Sequence, residues 1–283
     1  MDEIPVTDFD LDATLESGQV FHWQRHEAGW IGDIGGEGVY ISQPEPGRLL
    51  ASPGTLALVR DYFALDLLPA DIHASFPAND PHLAGAIAFY PRLRLLRQPK
   101  WESLATFLTS PLKQIPQIRA IALRLRERYG KKIPVPGFVK NKTPAVFSYP
   151  EPAALADAGE AALRELGLGF RARNVWRAAC EMERRPSDWE RWEALDDESL
   201  RKELIALPGV GPKIADCVML FAFSRWSAFP VDVWMERTMI RLYFPDVQPA
   251  PKLEALRDFA RQYFGPYAGY AQQYLFEWAR KGS

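Results

Sequence analysis

Of its 283 residues 47% are hydrophobic and 12% aromatic, so the chain can bury one large core or two packed ones, and this excludes an intrinsically disordered protein. Two cysteines, Cys180 and Cys217, exclude a disulfide framework and any iron–sulfur or metal site built on four thiolates, and they fit a reducing compartment. The net charge of −2 runs against the basic surplus usual in proteins that live on phosphate backbones.

That average hides an asymmetry. Residues 1–16 carry six acidic side chains (Asp2, Glu3, Asp8, Asp10, Asp12, Glu16) and no basic one. Residues 113–142 carry nine basic ones (Lys113, Arg119, Arg124, Arg126, Arg128, Lys131, Lys132, Lys140, Lys142) against Glu127 alone. Such clustering raises a local positive potential that a phosphate strand would feel, though a solvated helix face has the same composition. The start, Met1-Asp2-Glu3-Ile4-Pro5, has no basic stretch followed by an apolar one, and no apolar run reaches the roughly 18 residues of a membrane span. A soluble cytoplasmic protein without a membrane partner is therefore expected.

The first fifty residues are glycine-rich, with short alternating runs at Val20-Phe21-His22-Trp23-Gln24 and Trp30-Ile31-Gly32-Asp33-Ile34, the composition of strands and hairpins. From Pro53 the period changes: Leu56, Val59, Tyr62 and Phe63 recur at helical spacing. Nearly everything after residue 80 reads as helix broken by proline or glycine. In 114–130, Ile115, Ile118, Ile121 and Leu125 form an apolar stripe, with the arginines largely on other faces. The loop Ile133-Pro134-Val135-Pro136-Gly137 and the prolines at 144, 150 and 152 interrupt the helices without a low-complexity linker. The fold class predicted is α+β, with an N-terminal antiparallel β-sheet domain over residues 1–97 and a mainly α-helical body over 98–283.

The most informative segment is Leu207-Pro208-Gly209-Val210-Gly211-Pro212-Lys213-Ile214-Ala215-Asp216-Cys217. Residues 197–206 read as a helix, and Ile214, Cys217, Val218 and Phe221 lie at helical spacing beyond it, so 197–223 is a helix-hairpin-helix with two glycines in its turn. Glycine permits a positive φ and a close backbone approach. The N–H groups opening the second helix lack partners inside it, so they and the helix dipole can hold a phosphate. Pro230-Val231-Asp232-Val233-Trp234 then opens the next helix, with Asp232 as its N-cap. Lys213 and Asp232 are 19 residues apart, enough for a helix, a turn and a return to the first helix's start. Seen singly, each is equally a surface lysine and an ordinary cap.

The hairpin followed by Pro-Val-Asp-Val resembles the signature of the 8-oxoguanine branch of the helix-hairpin-helix DNA glycosylases. The resemblance extends, in the family's order, to Ser17-Gly18-Gln19-x-Phe21-x-Trp23, Leu95-Leu96-Arg97-Gln98, Leu166-Gly167-Leu168-Gly169-Phe170-Arg171-Ala172-Arg173 and Gly265-Pro266-Tyr267-Ala268-Gly269-Tyr270-Ala271-Gln272. It implies an enzyme that excises 8-oxoguanine from duplex DNA and then nicks the strand, with no iron–sulfur cluster and no obligate partner chain, hence a monomer. Lys213 is implied as nucleophile on C1′ of the everted nucleotide; it must be neutral to attack, and burial or nearby cations lower a lysine pKa. Asp232 is implied to stabilise oxocarbenium-like charge. Gly18 is implied to accept the N7–H that 8-oxoguanine has and guanine lacks, Cys217 and Phe276 to sandwich the base, and Gln272 to bond its pairing edge. Phe170 matches a wedge in the stack, and Arg164 and Arg171 match arginines reaching toward the orphaned cytosine. Gly209, Val210 and Gly211 would meet phosphate, and the carbonyls of Ile205, Leu207 and Val210 are candidates for a bridging structural cation.

The chain also departs from the family. After Ser110 the family carries an asparagine run, where this chain reads Leu112-Lys113-Gln114, and its arginine three residues further on is Gln117 here. Leucine can plug a gap in the stack but offers cytosine no hydrogen bond, and glutamine lacks arginine's fork, so a relaxed preference for the opposite base is expected. Trp234 replaces a phosphate-contacting histidine, and its indole donates one hydrogen bond without charge. Two rivals remain: a monofunctional helix-hairpin-helix glycosylase for alkylated or deaminated bases, against which Lys213 counts, and a hairpin module that binds DNA without catalysis.

Overall fold

The computed structural model describes residues 1–137 and 144–281. The basic residues Lys140 and Lys142 lie outside the described residues. Chain order runs β1 (Asp2–Pro5), α1 (Leu11–Glu16), β2 (Gln24–His26), β3 (Gly29–Ile34), β4 (Glu37–Glu45), β5 (Arg48–Ala51), α2 (Leu56–Tyr62), α3 (Pro69–Ala74), α4 (Pro81–Phe89), α5 (Lys100–Thr109) and α6 (Ile115–Tyr129). There follow β6 (Lys132–Ile133), β7 (Val146–Phe147), α7 (Pro152–Leu163), α8 (Ala172–Arg184), α9 (Asp188–Glu193), α10 (Asp197–Ile205), α11 (Pro212–Ala222), α12 (Val233–Tyr243), α13 (Leu253–Phe264) and α14 (Ala268–Lys281). The α+β reading is borne out: an antiparallel sheet of order β1-β5-β4-β3-β2 precedes a helical body.

The alternation in β3 explains how the sheet is used. Trp30 and Ile34 join Leu11, Leu15, Val59 and Phe63 in a core between the sheet, α1 and α2. Ile31, one residue out of phase, packs with Val135 and Val146 on the opposite face. Both faces of β3 are therefore covered, and all six of its residues are buried. Asp33 shares the face of Ile31, where Arg126 of α6 donates to it, to Glu102 of α5 and to the Phe147 carbonyl. His22 Nδ1 lies 3.0 Å from Glu102. This buried cluster ties the sheet to the body, and it places Arg126 on the core side of α6, an exception to the expectation that its arginines lie largely on other faces. The first strand expected, over 20–24, is also corrected: pairing begins only at Gln24.

Just before this segment, Gln19 is fixed by a set of buried hydrogen bonds. Its Nε2 donates to the carbonyls of Thr14 and Arg94, its Oε1 accepts from Leu96 N, and its own carbonyl accepts from Gln98 Nε2. A buried side-chain amide thus ties the end of α1 to the 94–96 segment, where no strand ladder joins them. Segment 17–23 consequently runs between the two cores, with Trp23 in that of the sheet and Phe21 edge-on to Phe107 in that of the body. Helices α3 and α4 bury Ile72, Leu83 and Ala86 in the core of the body as well.

The acidic N-terminus is spent locally. Asp10 caps α1 by accepting from Ala13 N, Asp12 accepts from Trp30 Nε1 and pairs with Arg25, and Asp2 accepts from Gly54 N.

Candidate active site

Helices α10 and α11 form the hairpin foreseen in the sequence. Asp196 caps α10 through Ser199 N, and the turn closes with Val210 N donating to the Leu207 carbonyl at 3.2 Å. Gly209 has φ +79°, and a Cβ there would lie 2.4 Å from the Asn174 side chain, so conformation and space both demand glycine. Gly211 is the N-cap of α11 and offers no side chain to the first turn. Pro212 has no N–H, and Ala215 N is the first to bond back, to the Gly211 carbonyl. The amides of Lys213 and Ile214 therefore have no acceptor within the helix.

Beside this turn lies a cavity of about 1090 Å³ that brings together segments far apart in the chain. Gly18, Leu112, Gly209, Gly211, Lys213, Asp232, Trp234 and Phe276 all line it. Lys213 Nζ donates to Ser110 Oγ at 3.5 Å and stands 5.3 Å from the centre of the Phe107 ring. One helical turn on, Cys217 is buried, and that burial pushes its thiol up to about 11 despite the nearby Lys213 charge. Asp232 caps α12, its Oδ1 accepting from Met235 N at 2.8 Å.

Gly18 has φ +79°, and an added Cβ would sit 2.7 Å from Ile115 Cδ1 and 3.7 Å from Phe276 Cε1. Its backbone therefore looks into a slot between an aliphatic and an aromatic side chain. Arg280 lies 5.7 Å from the centre of the Phe276 ring. Gln272 is one turn before Phe276 on α14 and, like Cys217, is buried behind the cavity wall instead of contributing to its lining.

The remaining expected DNA contacts separate. Phe170 is 58% exposed on a short turn, and Trp234 is 60% exposed. Val210 is buried under the hairpin. Arg164 is not among the cavity-lining residues and pairs with Glu160 on its own helical stretch. Arg171 is directed inward: its Nε donates to the Pro111 carbonyl at 2.6 Å, its Nη2 to the same oxygen, and burial lowers its pKa. Gln117 Oε1 accepts from Gln114 N at 3.0 Å, which commits it to the start of α6. Among the described residues no group of three or more His, Cys, Asp or Glu side chains could hold a metal ion.

Sequence reasoning missed the roles of Ser110 beside Lys213, Ile115 beside Gly18 and Asn174 beside Gly209, because these arise from contacts across 103, 97 and 35 residues that no local pattern reveals. It also missed Asp216, buried among Arg201 and Arg257, whose guanidinium nitrogens lie 2.9 and 3.4 Å from its Oδ1. Burial raises its carboxyl to about 6 against the pull of both arginines.

The family of 8-oxoguanine DNA glycosylase N-terminal domains matches residues 3–104. The N-glycosylase/DNA lyase OGG1 of Arabidopsis thaliana is 28% identical over 300 residues, covering 95% of this chain and 77% of the plant protein. Among solved structures, MBOgg1 in complex with a low-affinity DNA ligand superposes with a TM-score of 0.90 at 30% identity, covering 99% of this chain and 95% of that one. The 8-oxoguanine glycosylase/lyase of Clostridium acetobutylicum, bound to double-stranded DNA with cytosine opposite 8-oxoguanine, gives 0.87 at 31% identity, with 97% and 93% covered.

Proposed function

Because this chain belongs to the 8-oxoguanine DNA glycosylases of the helix-hairpin-helix superfamily, we propose that it excises 8-oxoguanine from duplex DNA and cleaves the resulting abasic site through Lys213. The observation carrying this reading is that Lys213 and Asp232 line one cavity with Gly18 and Phe276. The neutral Lys213 amine attacks C1′ of the everted nucleotide as the C1′–N9 bond breaks, and the departing base keeps the bonding pair and takes up a proton. The Asp232 carboxylate offsets the positive charge that develops on the sugar in between. Loss of the amine proton and opening of the sugar ring leave an imine at C1′. The imine acidifies the C2′ proton, and its removal expels the 3′ phosphate, which nicks the strand.

Specificity follows from the slot at Gly18. A main-chain carbonyl accepts the N7–H of the oxidised base, whereas guanine would set a lone pair against it. Phe276 and the first turn of α11 at Lys213 are the faces between which the base is held, while Cys217 and Gln272 back that wall from behind. The Lys213 and Ile214 amides take a phosphate at the α11 N-terminus. A cation bridging hairpin and phosphate would draw on the carbonyls of Ile205, Leu207 and Val210; that of Leu207 already accepts from Val210 N and has one lone pair left. No helix among the described residues is long and apolar enough to cross a membrane, in keeping with an enzyme acting on chromosomal DNA in the cytoplasm.

Borohydride trapping on a duplex with one 8-oxoguanine tests the nucleophile. The native protein forms a covalent adduct and Lys213→Gln does not; base release by the native protein without an adduct would refute the assignment and favour a monofunctional glycosylase. With Leu112 and Gln117 where the family has hydrogen-bonding readers, excision opposite adenine is expected within about tenfold of that opposite cytosine. Strict dependence on cytosine would contradict this.

A further inference from the structure

Leu112 stands at the mouth of the cavity with 91% of its surface exposed and φ +56°. Leucine is costly in the left-handed region and costly in water, so something must hold it there. Lys113 N donates to the Ser110 carbonyl at 3.0 Å, closing a turn with Pro111 second and Leu112 third. A proline, fixed at negative φ, followed by a positive φ is the type II arrangement, whose third position favours glycine or asparagine. The type I alternative differs by a flip of the peptide between Pro111 and Leu112. The direction of the Pro111 carbonyl therefore decides where the leucine points.

That carbonyl is the acceptor of two N–H groups of Arg171, Nε at 2.6 Å and Nη2, although the residues are 60 apart in sequence. Arg171 is itself buried, and its guanidinium carbon lies 4.2 Å from the centre of the exposed Phe170 ring. We propose that Arg171 is a positioning residue that clamps the Pro111 carbonyl, locks the turn in its strained form, and so presents Leu112 beside Phe170 as a two-pronged apolar wedge for the gap an everted nucleotide leaves. The proposal rests on the glycosylase reading. It removes Arg171 from the groups that read the orphaned base, since a guanidinium spent on a protein carbonyl has fewer donors for cytosine. It also explains how the chain tolerates leucine at this place: the fork of one arginine selects the turn that glycine or asparagine would adopt unaided.

The test compares R171A, L112A and the double variant by two single-turnover rates each: 8-oxoguanine excision from a duplex, opposite cytosine and opposite adenine, and nicking of an abasic site in a single strand, where no stack has to be filled. Each single variant is expected to lower the ratio of duplex excision to single-strand nicking roughly tenfold, equally for both opposite bases, and the double variant no further than either. R171K, which can keep one of the two bonds, falls between native and R171A, and it carries the same cycle should R171A fail to fold. A loss in the arginine variants confined to cytosine, multiplying with that of L112A, or absent altogether would overturn the clamp. Failure of the native protein in both assays would instead overturn the glycosylase reading.

Discussion

Gly18→Ala separates the cost of folding from the cost of recognition. At φ +79° an alanine costs about 1 kcal/mol over glycine. Its Cβ, 2.7 Å from Ile115 Cδ1, meets the far end of a flexible side chain, and displacing that end from its rotamer costs about 1 kcal/mol more. The sum, about 2 kcal/mol, lowers the melting temperature by roughly 3 °C in a protein of this size. The same methyl stands 3.7 Å from Phe276 Cε1, in the slot that a base must enter. Overpacking a fitted site by one carbon costs about 1–3 kcal/mol, so base excision should fall a further ~10- to 100-fold at temperatures where the variant is folded. An abasic site brings no base into the slot, and its nicking should be reduced far less. Calorimetry together with single-turnover excision and nicking on matched duplexes reads all three quantities. If excision and nicking fall by the same factor, Gly18 is a turn residue and the slot is not the base pocket.

Asp232→Asn keeps an N-cap of equal quality, so stability should change by under about 0.5 kcal/mol while excision slows at least ~100-fold; equal losses in urea titration and in rate would deny the carboxylate its electrostatic role. Arg126→Met leaves Asp33 and Glu102 buried without their cation and should cost about 3–5 kcal/mol in urea unfolding near pH 7. Burial alone would raise Glu102, but Arg126 and His22 outweigh it and hold the carboxyl at about 2, below its ordinary 4.5. That contribution is complete above pH 4.5 and is lost as pH falls toward 2, so the acid slope of native stability in this window should flatten in Arg126→Met. Asp216 has the opposite sign: burial raises it from 3.8 to about 6, so its own contribution to stability is complete below pH 3.8 and is lost as pH rises through 6, by roughly 2–3 kcal/mol. Asp216→Asn should abolish that decline, and an unchanged pH profile would show the carboxyl to be ionised throughout.

The helical part was legible because its signals are local. The stripe Ile118, Ile121 and Leu125 is buried in α6, and Ile214, Cys217, Val218 and Phe221 are buried in α11, as a period of 3.6 dictates. Asp232 is found capping α12 because an aspartate before a helix has few better uses. Residues 20–24 misread as a strand because Val20, Phe21 and Trp23 are apolar and bulky, and composition cannot reveal that they are buried in two different cores, Phe21 in that of the body and Val20 and Trp23 in that of the sheet. Arg126 was invisible for the opposite reason: an arginine on a helix reads as solvated until its carboxylate partners, contributed by β3 and α5, are located. Arg171 illustrates the limit of carrying a role over by motif, since the motif fixes the residue but not the acceptor toward which its guanidinium turns.

The precision of the site rests on polar bonds that apolar patterning cannot encode. Close-packed aliphatic faces fix the distance between elements but permit small slides, whereas a buried hydrogen bond fixes register, because a slipped amide is left unsatisfied at a cost of about 1–3 kcal/mol. Three glutamines perform this task around Gly18. Gln273 Nε2 of α14 donates to the Ser17 carbonyl, Gln98 Nε2 to the Gln19 carbonyl, and Gln19 itself to the Thr14 and Arg94 carbonyls. The chain then closes the frame with Gln98 N on the carbonyl of Phe221, the residue just before the end of α11. Gly18 is in this way tied on one side to the helix bearing Phe276 and on the other to the helix bearing Lys213, so the slot and the Lys213 amine keep a fixed relation without touching each other. The proposed reaction, in which one amine must meet one carbon while one carbonyl meets one ring proton, requires that relation, and it is held by side chains to which the proposal gives no part in the chemistry.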